Sequence, residues 1–154
     1  MIEDATKFTT QAPPADRADD AELLVSLISA EIFATASSAQ AEGFFTSVGY
    51  RLAAIVAMDD VHDLNGLTTR INALWHALGW GEVRMDVQGN GIVVHHHGLP
   101  RGWNTDASGH WPVVLRTLLT SAYDRWFRVL GSGNSLRTTV LRASEEALEL
   151  YHGV

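Results

Sequence analysis

No cysteine occurs in the 154 residues, so disulfide staples, thiolate metal sites and thiol nucleophiles are excluded. Lysine is nearly absent: Lys7 stands alone beside ten scattered arginines, and the formal net charge is −7. Recognition of nucleic acid needs clustered Lys and Arg against the phosphates, so that partner class is set aside. No apolar run is long enough to cross a bilayer. The first twenty residues lack a basic stretch followed by an apolar one, which makes the cytoplasm the expected compartment.

What is present reads as one globular domain. Apolar residues make up 46% of the chain and charged ones 19%, too apolar for disorder. A domain of this length buries roughly two-thirds of its unfolded surface, enough for a core without covalent staples. Residues 1–20, with Pro13-Pro14, four aspartates and no periodicity, read as a flexible tail; residues 21–154 read as a single α+β domain.

The hydrophobic period sets the order of elements. Leu24, Leu27, Ile28 and Ile32 share a helical face, with Asp19 and Asp20 where an N-cap belongs. Phe44, Val48, Leu52 and Ile55 predict a second helix, on which Gly49 would allow close approach of another. Leu64, Leu67, Ile71, Leu74 and Leu78 predict a third, led in by Asp59, Asp60 and Asp63 and stopped by Gly79. The period then falls to two. Val83, Met85 and Val87 alternate with charged residues, Gly89-Asn90-Gly91 supplies a turn, and Ile92 to His97 returns. After a Gly-rich loop from Gly98 to Gly109, Pro112 opens a fourth helix whose face is Leu115, Leu118, Leu119, Ala122, Trp126 and Leu130. Arg137 to Arg142 and Ala147 to His152 read as a closing hairpin. Helices then pack on one face of a small antiparallel sheet.

Catalytic signatures are missing. There is no Gly-x-Ser-x-Gly elbow, His-Glu-x-x-His pair or dinucleotide fingerprint, and Gly131 to Ser135 follows a helix where a phosphate loop follows a strand. His95 and His97 of the His95-His96-His97 run would share a strand face, but no spaced Cys, His or carboxylate is evident nearby and Glu82 or Asp86 across the hairpin could serve only if the register obliged, so no metal or other cofactor is expected. Among the five tryptophans, Trp75 and Trp126 lie on or beside helix stripes, whereas Trp103 sits in the Gly-rich loop and is the freest to meet a partner. Phe44 and Phe45 point about 100° apart on a helix, so one ring suits the core and the other a neighbouring chain.

Several fragments in order carry a family resemblance: Phe44-Phe45 with Val48-Gly49 and Arg51-Leu52-Ala53; Ile71-Asn72 with Leu74; Leu78-Gly79-Trp80-Gly81 with Val83; Ile92-Val93-Val94-His95; Gly98-Leu99-Pro100; and Trp111-Pro112-Val113-Val114-Leu115 with Tyr123 and Trp126. Over roughly residues 23–152 this succession resembles the D subunit of bacterial cellulose synthase, with an N-terminal tail that departs from the pattern. The resemblance implies a non-enzymatic accessory protein forming a ring-like octamer built from dimers. It implies a role in ordering or exporting nascent β-1,4-glucan chains beside the other synthase subunits, in the exopolysaccharide of biofilms. Lys7, Phe8, Thr9, Thr10 and Gln11 of the tail, and Trp103, are then candidate contacts for glucan or a partner. Phe44, Phe45, Gly49, Arg51, Trp80, Trp111 and Trp126 are candidate structural or interface residues. The alternatives are a small-ligand or haem sensor, with His76 or His95 as ligand, and a carbohydrate hydrolase.

Overall fold

The structure, a computed structural model, describes residues 15–101 and 109–154. Lys7, Phe8, Thr9, Thr10, Gln11 and Trp103 lie outside them. The element order is α1 (Ala15–Thr35), α2 (Ser38–Ala54), α3 (Leu64–Leu78), β1 (Glu82–Gln88), β2 (Gly91–His97), α4 (Trp111–Val129), β3 (Arg137–Ala143) and β4 (Ala147–Gly153). That is the expected α+β order of three helices, hairpin, helix and hairpin.

Local chemistry explains most boundaries. Ser37 and Gln40 form a reciprocal capping box at α2, Gln40 N donating to Ser37 Oγ at 3.2 Å and Ser37 N to Gln40 Oε1 at 2.8 Å. At α3 the cap is Asp63, whose Oδ1 accepts from Gly66 N at 2.6 Å. Asp60 instead pairs with Arg70, at 2.8 Å. Gly79 ends α3 at φ 68°, a conformation costly to any residue with a Cβ.

Helix α1 departs from expectation twice. It is already helical at Ala15, so Asp19 and Asp20 lie within it and are not at its N-cap position. Its apolar face also points outward: Leu24, Leu27 and Ile28 are 59%, 58% and 48% exposed, while Ser26 and Ser29 are buried. Its C-terminal part packs on the core cluster through Ile32 and Phe33. The Phe33 ring stacks on Phe45 at 5.6 Å and on His110 at 4.2 Å.

Helix α2 buries a face one position round from the expected one. Ala41, Phe45, Gly49 and Ala53 go in, whereas Phe44 and Ile55 are exposed. The reason is steric. A Cβ on Gly49 would overlap Ser121 Oγ and the Leu118 carbonyl of α4, so the two backbones meet across a seam of small residues that bulky Val48 or Leu52 could not enter. Trp126 of α4 completes the seam, donating Nε1–H to the Ala53 carbonyl at 3.0 Å.

The sheet runs β1-β2-β4-β3, antiparallel throughout, so the two hairpins join through β2 and β4. Val83, Met85, Val94, Leu148 and Leu150 meet the helices. Val87, expected among them, is exposed beside the turn.

Candidate functional site

The His95-His96-His97 strand is where the sequence concentrates its titratable groups. Alternation divides them. His96 shares parity with Val94 and enters the core, 1% exposed, while His95 and His97 lie on the opposite face.

Inside, the hydrogen-bond partners fix the tautomer of His96. Its Nε2 lies 2.7 Å from the Trp80 carbonyl, which can only accept, so Nε2 carries the proton. Nδ1 then accepts from the Tyr123 hydroxyl at 2.8 Å, and the Tyr123 oxygen accepts Nε1–H of Trp75 at 3.1 Å. The chain of bonds is fully satisfied and wrapped in rings: Trp75 packs on Trp80, His96, Tyr123 and Trp126 with centroids 5.0–6.1 Å apart. Burial, opposed in part by the Trp80 carbonyl, lowers the His96 pKa to about 4, and burial raises that of Tyr123. Both groups are therefore neutral at pH 7. A tyrosine hydroxyl on an imidazole resembles a base and its nucleophile, but here it is closed off from solvent and locks a strand to α4.

A second network joins the sheet to the end of α4. Thr138 Oγ1 donates to Asp124 Oδ1 at 3.0 Å and lies 2.8 Å from His152 Nδ1; Arg128 holds the other Asp124 oxygen at 2.6 Å. The same guanidinium reaches the carbonyls of Gly133 and Leu136, which fastens the connector to β3. Burial also lowers the pKa of His152.

On the outer face, His95 lies between two carboxylates, Nε2 3.4 Å from Asp86 and Nδ1 3.6 Å from Glu149. Because they flank opposite nitrogens, one ion cannot take all three; among the described residues no three His, Asp or Glu side chains come together to hold a metal. His76 is exposed on α3. No described helix is long and apolar enough to cross a membrane.

The remaining candidates divide by exposure. Phe45, Gly49, Trp111 and Trp126 are buried, Trp80 is partly buried against them, and Phe44 and Arg51 face outward. Sequence reasoning missed Tyr123 and His96 as a pair. The signal for His96 was available in its parity with Ile92 and Val94; nothing local marks Tyr123.

The family model for the D subunit of cellulose synthase matches residues 9–153. The chain belongs to that family. The match reaches into the N-terminal segment expected to depart from the pattern, so much of residues 1–20 is part of it. No curated protein matches the chain. Membership gives this cellulose synthase subunit a role in bacterial cellulose synthesis, in association with the other subunits of the synthase complex.

Proposed function

We propose that this cellulose synthase subunit is non-catalytic and assembles with itself into a closed ring, an octamer built from dimers, that orders nascent β-1,4-glucan chains or the synthase complexes making them. The observation that carries the reading is α1. Its outward Leu23, Leu24, Val25, Leu27 and Ile28 form a contiguous apolar strip on an otherwise acidic chain. Isolated exposed apolar residues are ordinary, whereas a continuous helical strip marks a protein contact. Phe44, 47% exposed on the neighbouring helix, adds an aromatic anchor of the kind that interfaces use. The non-catalytic assignment is supported by the core itself, whose most perturbed groups, His96 and Tyr123, are spent on packing.

The ring would act in the cytoplasm beside the membrane-bound synthase. Lys7, Phe8, Thr9 and Gln11 would offer the glucan hydroxyl-binding groups and one stacking ring, with Trp103 a second ring. Purified protein tests both halves. Light scattering should give a mass about eight times 16.8 kDa, and incubation with UDP-glucose or cello-oligosaccharides should yield no product. A monomer at micromolar concentration, or turnover of either sugar, contradicts the reading.

A further inference from the structure

The two edges of the sheet are treated differently. On β1, the Asn72 side chain accepts from Val83 N at 2.8 Å and donates to the Val83 carbonyl at 2.9 Å, the pair of bonds a neighbouring strand would make. Helix α3 thereby caps that edge at Val83. On β3, no described residue outside the sheet hydrogen-bonds the backbone of residues 137–143. Six of its seven residues are exposed, Val140 and Leu141 among them. An open apolar edge invites another strand.

Charge selects the strand. Arg137 and Arg142 stand at the two ends of β3, and Arg116 of α4 lines the cleft of about 580 Å³ beneath it, with Tyr50, Thr120 and Val140. Among the described residues none of these three guanidiniums has an ion-pair partner. Glu42 stands in the cleft wall, and Glu149 is opposite Arg142 in the register and 3.6 Å from His95. Pairing β3 with β3 of a second copy in the register that aligns their ends sets arginine beside arginine at both ends, in either direction, which disfavours that pairing. Asp124 is already held by Arg128 and Thr138 and leaves the edge positive.

We propose that the β3 edge is a docking site for an acidic extended segment of a partner protein, added to the sheet as a fifth strand. Main-chain bonds to β3 supply the affinity. Acidic side chains on one face meet Arg137 and Arg142, and those on the other lie over the cleft towards Arg116. This lies beyond the proposed ring, whose contact is α1.

The probe is a fluorescein-labelled peptide of about eight residues alternating glutamate with valine and threonine, titrated into the full-length protein and read by anisotropy. The expected result is saturable binding that weakens with salt, absent for the peptide with lysine in place of glutamate, and abolished by N-methylation of alternate peptide nitrogens. Arg137→Glu with Arg142→Glu should weaken binding at least about tenfold with an unchanged melting temperature, while Arg125→Glu, beside a different hollow, should not. Binding that tolerates N-methylation, or no binding at millimolar peptide, overturns the proposal. So does a fall in oligomer mass in the double variant, which would assign the edge to a second copy.

Discussion

Helices α1 and α2 are neighbours with similar proportions of apolar residues, yet they use them in opposite ways. Helix α2 turns a row of small residues inward, Ala41, Gly49 and Ala53 with the ring of Phe45, and fits closely against α4. Helix α1 turns its largest aliphatics outward and buries two serines. The lesson is that an apolar stripe names a contact without naming the chain that makes it. The inward face of α2 is committed to the monomer, and the outward face of α1 is offered to a second surface.

The widest separation should come from adjacent phenylalanines. Phe45→Ala empties a core position and should cost about 3–5 kcal/mol in urea unfolding, whereas Phe44→Ala, on the outward side, should cost under about 1 kcal/mol and lower the oligomer's mass instead. Equal losses of stability at both positions would erase the distinction.

Acid should act on the core side. Unfolded, His96 takes its proton near 6.5; folded, at about 4. Between those values the unfolded chain binds more protons, so stability is full above about pH 6.5 and is lost as the pH falls towards 4, by ~3 kcal/mol in total. His152 shifts in the same direction and adds to the slope. Urea midpoints at pH 7.5 and 4.5 measure it, and His96→Gln, which keeps one donor and one acceptor, should flatten the dependence.

The α2–α4 seam is tested within one helix. Gly49→Leu should destabilise by about 1–3 kcal/mol through overpacking, because the Leu118 carbonyl cannot move aside. Gly43→Leu should be close to neutral or better, since its Cβ meets nothing within 4 Å. A tolerated Gly49→Leu would show that the seam has room to give.

Much of the fold was legible because period, caps and turn glycines agree along most of the chain. Asp63, Gly79, Pro112 and the Gly89–Gly91 turn stand where their chemistry places them. The face of α2 was not legible, because hydrophobicity ranks Val48 and Leu52 above Gly49 and Ala53, and only the approach of α4 reverses that ranking. Nor was the outward turn of α1, whose stripe is as regular as that of a core helix. In the buried cluster, His96 could be found by counting along the strand from Val94. Its partner Tyr123 lies 27 residues away on another helix, and no local pattern joins them.

The central claim is that the outward face of α1 serves assembly and not the core. Leu24→Ser, Leu27→Ser and Ile28→Ser should be combined in one chain and compared with the wild type by sedimentation velocity and thermal unfolding. The predicted result is a folded protein of much lower mass whose intrinsic stability changes by no more than about 0.5 kcal/mol per site. A variant that keeps the wild-type mass, or that unfolds as a core variant does, would contradict it.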